Sequence, residues 1–254
     1  HSTVWRAKKV EAGGAPLDAG VHNADMLLYL LGGANSVYAE TAINESQRTL
    51  RPMNEVAPAL AQMYNHRKED GYENGDTVEQ TAVDTAFGLI RFKSGAIGQL
   101  LMTDTSHGQS LVVSTISGSA GTMYRPASRS GQSPRIVRND GTEITGDSLL
   151  DLVPYFELDD TTSILWNGAR RISSYDMDFR EIDSKILAYE YLDLVQAAES
   201  GGQPEVGSQE GMDALALAYA LMESGASGAP VTLEDVAEGR VSAFQDEIDV
   251  EMGI

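Results

Sequence analysis

One segment near the start of the chain constrains the fold more than any other. It begins with Gly13-Gly14 and continues through Asp18, His22 and Asp25 into an apolar run at residues 26–31. Apolar residues recur there at steps of three and four, which places their side chains on one face of an α-helix: Leu17, Val21, Ala24, Leu28 and Leu31. The glycine pair allows a tight entry into the helix, and Gly32-Gly33 ends it. The sequence therefore predicts an amphipathic helix that carries residues 17–31.

Asp18 and His22 lie on a neighbouring stripe of this predicted helix. They are four residues apart, so the carboxylate lies one turn before the imidazole. A carboxylate and an imidazole held together on a rigid, half-buried helix are suited to proton transfer. The alternative is a structural pair whose hydrogen bonds are satisfied between the helix and a sheet. We therefore treat Asp18 and His22 as candidate catalytic residues.

Strand patterns dominate the middle of the chain, and helical patterns return at its end. Strands are predicted at residues 37–43, 81–92, 96–105, 111–117, 135–138 and 142–145, and helices at 178–200 and 209–223. A final helix is predicted to start near Thr232, where Thr232 and Asp235 form a capping-box pattern. This order predicts an α+β fold with an open, mainly antiparallel β-sheet and helices on one face. No low-complexity linker interrupts the chain, which favours a single domain over residues 1–254.

The hairpin at 81–105 has small or apolar residues on both of its alternating faces. Phe87 and Leu89 belong to one face, and Ile90 and Phe92 belong to the other. A sheet with one solvent-facing side would have a polar residue at every second position. We therefore expect helices to cover one face and a partner subunit's sheet to cover part of the other, as in a homo-oligomer.

The composition is strongly acidic, with 38 acidic and 18 basic residues and a formal net charge of −20. Such a surface repels nucleic acid and anionic membranes, so neither is an expected partner. No apolar run approaches the roughly 20 residues that span a bilayer, and we expect a cytoplasmic protein. The charge is typical of an ordinary acidic bacterial protein or of one adapted to concentrated salt, and the scarcity of lysine favours the second. With no cysteine and four scattered histidines, no metal site is predicted.

Several motifs resemble the second domain of the glucose–fructose oxidoreductase and inositol dehydrogenase family, called Gfo/Idh/MocA. That family has a glycine run followed by Asp-x-Gly-x-His-x-x-Asp and an apolar helix. The matching residues here are Gly13, Gly14, Asp18, Gly20, His22 and Asp25, whereas Ala15 replaces the third glycine. Trp5-Arg6 precedes this motif, as in the family. Similar stretches follow in the family's order at residues 84–98, 116–122, 206–211 and 223–233.

The resemblance implies an NAD(P)-dependent oxidoreductase that acts on a secondary hydroxyl of a sugar, a polyol or a related compound. It implies that His22 accepts the hydroxyl proton and that Asp18 binds a substrate hydroxyl or orients the imidazole. Trp5 and Arg6 would border the sugar pocket, unless they only pack at a strand edge. His107 would reach the same cleft, unless it is an exposed loop histidine.

Two features of the family pattern are not found in this sequence. Family members begin with a dinucleotide-binding domain that a Gly-x-Gly-x-x-Gly turn opens, and a Glu-Lys-Pro segment supplies a catalytic lysine. We therefore interpret residues 1–254 as the substrate-binding and oligomerisation domain of a longer protein whose N-terminal dinucleotide-binding domain is missing. This chain alone is expected to be inactive and to bind neither NAD nor NADP.

Two alternatives to a dehydrogenase stay open from the sequence. The chain could be a stand-alone module that binds a carbohydrate or dimerises without catalysis, because a fold does not determine a function. It could also belong to a relative that uses the cofactor transiently for elimination or glycoside cleavage.

Overall fold

The computed structural model describes residues 3–11, 13–56, 58, 60–61, 71–108 and 111–254. It divides into two compact units, one formed by His1–Gly108 with Val206–Ile254 and the other by Gln109–Glu205. This division was not predicted from the sequence, and a single substrate-binding domain stays a prediction. Open antiparallel sheets with helices occur as predicted, so the α+β fold class is confirmed.

The helices and strands of the described residues follow one another in a regular succession along the chain. In chain order they are α1 (Gly14–Asp18), α2 (Gly20–Leu31), β1 (Ala34–Ala42), β2 (Gln47–Thr49), α3 (Met53–Val56), β3 (Thr77–Glu79), β4 (Thr85–Phe92), β5 (Ile97–Thr103), β6 (Thr115–Gly118), β7 (Gly121–Tyr124), β8 (Arg135–Arg138), β9 (Glu143–Thr145), α4 (Asp160–Leu165), α5 (Phe179–Ser200), α6 (Ser208–Ser227), β10 (Val231–Thr232), α7 (Leu233–Ala237) and α8 (Ala243–Met252). Short 3₁₀ turns lie at Trp5–Ala7, Lys9–Glu11 and Gly146–Leu152.

The first unit is built on a four-stranded antiparallel sheet in the order β10-β1-β4-β5. Along β4, Ile90 and Phe92 are buried in the core with residues of α6, whereas Phe87 and Leu89 are 48% and 56% exposed. The predicted alternation of the hairpin is therefore confirmed, and helices cover one face of the sheet. A separate pair of short strands, β2 and β3, completes this unit's β-structure in the described residues.

Helix α6 approaches the sheet closely because two glycines lie at the contact. A Cβ atom on Gly88 of β4 would lie 2.1 Å from a methyl carbon of Leu221, and one on Gly225 would lie 2.3 Å from the hydroxyl of Thr41. The buried hydroxyl of Ser224 adds a polar link, since it accepts a hydrogen bond of 2.8 Å from the backbone N–H of Ala39. Helix and sheet are therefore held together by both packing and hydrogen bonding.

The predicted helices are present, with corrections to two of them. The helix predicted at 209–223 runs four residues further, to Ser227. The helix predicted through residues 17–31 is divided at Ala19 into α1 and α2, although Ala19 keeps right-handed backbone angles. It ends at Gly32, whose φ of 84° suits glycine, as expected. The Thr232 hydroxyl caps α7 by accepting the backbone N–H of Asp235 at 3.0 Å, which confirms the predicted cap.

The second unit contains a four-stranded antiparallel meander in the order β6-β7-β8-β9 and the helices α4 and α5. The strand predicted at 111–117 is shorter than expected, because β6 begins at Thr115. Asp159 and Asp178 cap the two helices by accepting backbone N–H groups. No helix in the described part of the chain has the length and apolarity needed to cross a membrane.

Candidate functional site

The helix α1, which carries Asp18, is pressed against the segment before β4 at its first residue. Gly13 and Gly14 have φ angles of 65° and 75°, in the left-handed region that glycine adopts without strain. A Cβ atom on Gly14 would lie 2.1 Å from the carbonyl oxygen of Val83. No residue with a side chain could make this approach unchanged. The glycine pair therefore determines where Asp18 lies, four residues later.

Asp18 ends α1 and forms an ion pair with Arg6. The Arg6 Nε donates to the Asp18 Oδ2 at 2.7 Å, and the two side chains are 36% and 28% exposed. The Arg6 guanidinium also lies over the indole of Trp5, 4.9 Å from the ring centroid. Three of the five residues singled out from the sequence thus lie together, in a place that a small molecule could reach.

His22 lies in the first turn of α2 with an exposed side chain. The sequence predicts that it pairs with Asp18, but the Asp18 carboxylate is bonded to Arg6 instead. Within the described residues, the imidazole of His22 has no hydrogen bond or ion pair. The spacing of four residues through right-handed backbone still places Asp18 and His22 on one helical face. Among the residues that the structure describes, the carboxylate therefore does not hold the imidazole, and the role of His22 as a proton acceptor stays a prediction.

His107 lies in the loop after β5, and its side chain is 83% exposed. Its Nε2 contacts the carboxylate of Glu45. Within the described residues, the imidazole of His107 therefore contacts Glu45 and none of the other predicted site residues. The structure therefore places His107 as an exposed loop histidine, and a role in substrate binding stays a prediction.

A buried ionic cluster lies where β4 begins and β5 ends, and it was missed from the sequence. The guanidinium of Arg48 lies 2.7 Å from Glu45, 2.6 Å from Asp104 and 3.5 Å from Asp84. Asp84 is fully buried and also accepts the backbone N–H groups of Asn44 and Glu45. Burial raises the pKa of Asp104 above its ordinary value, although Arg48 acts in the opposite direction. The acidic residue at position 84, inside an otherwise apolar stretch, was the available signal.

The described residues contain no group of three or more His, Asp or Glu side chains that could hold a metal ion. The glycine turn after β6, Gly118–Gly121, leads into the strand β7. A dinucleotide-binding turn leads into a helix whose N-terminus faces the pyrophosphate. This turn therefore lacks the helix that faces the pyrophosphate in such sites.

A family model described as "Oxidoreductase family, C-terminal alpha/beta domain" matches residues 2–233. The chain belongs to the Gfo/Idh/MocA family. The match includes the glycine pair, Asp18 and His22, so the resemblance stated from the sequence is confirmed. No curated protein sequence matches the chain.

Solved structures of oxidoreductases share this fold. An NAD binding oxidoreductase from Klebsiella pneumoniae is 21% identical, with a TM-score of 0.61 over 90% of this chain and 53% of its own length. Levoglucosan dehydrogenase in complex with NADH and L-sorbose is 20% identical, with a TM-score of 0.63 over 93% of this chain and 55% of its own. An oxidoreductase domain protein from Kribbella flavida is 18% identical, with a TM-score of 0.63 over 91% and 54%. This chain therefore spans about half the length of these proteins.

Proposed function

We propose that this chain is the substrate-binding half of an NAD(P)-dependent oxidoreductase that oxidises a secondary hydroxyl of a sugar or polyol. The observation that carries the proposal is the group formed by Trp5, Arg6 and Asp18, with His22 on the same helical face. Family membership supports the reaction class. Levoglucosan dehydrogenase, with its bound NADH and L-sorbose, supports the substrate class.

A nicotinamide cofactor, when bound, would supply the acceptor for the hydride of the alcohol carbon. In this proposal a segment of the longer protein outside these 254 residues holds it, because the turn at Gly118–Gly121 does not fit a dinucleotide. The residues of this chain bind and orient the alcohol and receive its proton.

His22 is the proposed proton acceptor. Loss of hydride from a secondary alcohol requires the hydroxyl proton to leave, and an imidazole has an unperturbed pKa suited to accepting it near neutrality. Asp18 is the proposed ligand of a substrate hydroxyl, because Arg6 occupies its Oδ2 and its Oδ1 has no partner within the described residues. Trp5 would contribute a stacking face. Arg6 covers one side of the indole, so a sugar could stack only on the opposite side.

The test is the variant His22→Ala in the full-length protein, assayed with a panel of sugars and polyols. Loss of a general base should lower turnover by about 10²–10⁴-fold. The fold should persist, because the side chain of His22 is exposed and its imidazole makes no hydrogen bond within the described residues. Asn23→Ala is the control, an exposed neighbour on the same helix whose amide donates to the Ala19 carbonyl at 3.1 Å, and it should change turnover less than twofold. Turnover of His22→Ala within a factor of two of the wild type, at saturating substrate, would contradict the assignment.

The same assay separates this proposal from its alternatives. Net formation of NADH or NADPH together with a ketone product supports a dehydrogenase. Product formation without net reduction of the cofactor would indicate redox-assisted elimination or glycoside cleavage. Micromolar affinity of this chain alone for either dinucleotide, measured by calorimetry, would overturn its interpretation as a substrate-binding half.

We also propose that the open face of the sheet in the first unit binds a second copy of the chain. That face carries two apolar cross-strand pairs, Phe87 with Leu101 and Leu89 with Tyr38, and all four residues are exposed; Glu40 and Gln99 continue the same two rows. An apolar surface of this kind is more typical of an interface than of a solvated face. The resemblance to a family that associates through this sheet supports the same conclusion.

A further inference from the structure

The second unit contains an arginine-rich segment that the proposed oxidation does not use. Although 38 of the 254 residues are acidic, none lies between Asp104 and Asp140. The same interval contains no lysine and four arginines: Arg125, Arg129, Arg135 and Arg138. On a chain with a net charge of −20, this segment is a local concentration of positive charge, which is unusual enough to require a reason.

Two of these arginines line a cavity of about 510 Å³. The cavity is bordered by Arg125 and Arg135 together with Tyr124, Gln132 and Ser133. Its lining therefore combines guanidinium groups with neutral hydroxyl and amide groups, and no acidic side chain is part of it. The volume lies within the range of about 300–1,000 Å³ that is typical of sites for small molecules.

The two arginines differ in their partners, because a carboxylate neutralises Arg135 but not Arg125. Arg135 lies over the ring of Tyr124, 4.3 Å from its centroid, and its Nη1 donates to Glu143 at 2.9 Å. Arg125 is partly buried, and its Nη1 donates to the neutral hydroxyl of Ser114 at 3.3 Å. No carboxylate pairs with Arg125 within the described residues. A partly desolvated guanidinium without a counter-charge, with further N–H donors beside a cavity, is suited to an anion.

The loop that forms the cavity wall is held in place. Tyr175 donates its backbone N–H to the Gly131 carbonyl at 2.9 Å, and a Cβ atom on Gly131 would lie 2.1 Å from the Tyr175 carbonyl oxygen. Arg129 pairs with Asp183 at 2.9 Å, so it anchors the loop to α5 rather than serving the cavity. The donors around Arg125 are therefore preorganised, which lowers the entropic cost of binding.

We propose that this cavity binds the oxyanion group of a small molecule, a carboxylate or a phosphate, with Arg125 as its main charge partner. A guanidinium presents paired N–H donors that match two oxygens of either group. The Gln132 amide lines the same cavity and can donate to a third oxygen, whereas the Ser133 hydroxyl is already bonded to Thr145. This site lies within the second unit and does not depend on the proposed oxidation.

The test is a titration of the ¹⁵N-labelled protein, followed by NMR, with inorganic phosphate in one arm and succinate in the other. Ionic strength is held at about 0.15 M with sodium chloride, where the Debye length is about 8 Å and the distant carboxylates are screened. Saturable shifts at residues 124–135 are expected in at least one arm, and the arm that saturates identifies the anion. Arg125→Gln should weaken binding at least tenfold, and Arg125→Lys should weaken it less because the charge is retained.

Arg138→Gln is the matched control, because it removes the same charge from an exposed arginine of β8 outside the cavity. It should leave affinity within twofold. The absence of saturable shifts in both arms would overturn the proposal. It would also be overturned if Arg138→Gln weakened binding as much as Arg125→Gln, because only net charge would then matter. Arg125→Lys covers the case in which Arg125→Gln does not fold.

Discussion

Replacing Gly14 by alanine tests whether the close approach of α1 to the sheet stabilises the first unit. Two separate costs follow from the structure. Gly14 has a φ of 75°, and an L-residue in this left-handed conformation costs about 1–2 kcal/mol. Its new Cβ would also lie 2.1 Å from the Val83 carbonyl oxygen, so α1 or the segment before β4 must move. Forcing extra atoms into a packed contact costs about 1–3 kcal/mol more.

Gly228→Ala separates these two costs. Gly228 follows α6 in the same unit with a φ of 66°, and nothing lies within 4 Å of the Cβ it would gain. This control should therefore lose only the conformational cost of about 1–2 kcal/mol. Gly14→Ala should lose about 2–5 kcal/mol in all, so the difference between the two variants measures the contact with Val83.

The assay is urea unfolding followed by tryptophan fluorescence. The chain has two tryptophans, Trp5 in the first unit and Trp166 in the second, so a Trp166→Phe background reports the first unit alone. A lower midpoint with an unchanged m-value shows that stability, rather than the extent of unfolding, has changed. Equal losses for Gly14→Ala and Gly228→Ala would refute the reasoning, because the approach to Val83 would then carry no energy.

Three further predictions concern other parts of the molecule. The buried carboxylate of Glu223 accepts the backbone N–H groups of Phe244 and Gln245 at the start of α8, at 2.9 and 3.2 Å. In the same urea assay, Glu223→Ala should lower the unfolding free energy by about 1–3 kcal/mol. Glu223→Gln keeps one acceptor and should lower it less. The Thr232 hydroxyl, followed by Arg240, lowers the pKa of Asp235. The stabilising contribution of the Asp235 carboxylate is therefore complete above its unfolded pKa of about 3.9 and is lost as the pH falls through the folded pKa. The difference in unfolding free energy between wild type and Asp235→Asn should therefore narrow below roughly pH 4. The proposed dimer should become more stable in molar salt, because screening removes the repulsion between two chains of charge −20; a monomer at both low and high salt, by light scattering, would contradict it.

Features set by neighbours along the chain could be predicted from the sequence. The apolar stripe from Leu17 to Leu31 identified the helical segment, and Gly32 marked its end, because both depend on local spacing and backbone freedom. The alternation of Phe87 and Ile90 identified the two faces of β4 for the same reason. The break at Ala19 was not predicted, because the apolar spacing continues through it without interruption.

Contacts between distant residues could not be predicted in this way. Arg6 and Asp18 belong to different elements, and helical spacing describes only the neighbours of Asp18 on its own helix. Arg48 meets Asp104 across 56 residues of sequence, which no local pattern encodes. Buried charges need a partner, so a buried Asp84 would have indicated a nearby cation, but its burial was not predicted from the sequence. It would not have indicated which one.

The ion pair between Arg6 and Asp18 favours one of the two roles that the sequence left open for the carboxylate. Arg6 donates to Oδ2, and Oδ1, which has no partner within the described residues, is the acceptor left open to a substrate hydroxyl. His22 has an exposed side chain, from which a proton can pass directly to water, so it does not need a carboxylate to relay it. A substrate hydroxyl in the same place needs an acceptor that fixes its direction before the proton leaves. We therefore infer that Asp18 binds and orients the substrate, that Arg6 positions Asp18, and that His22 receives the proton without help from either.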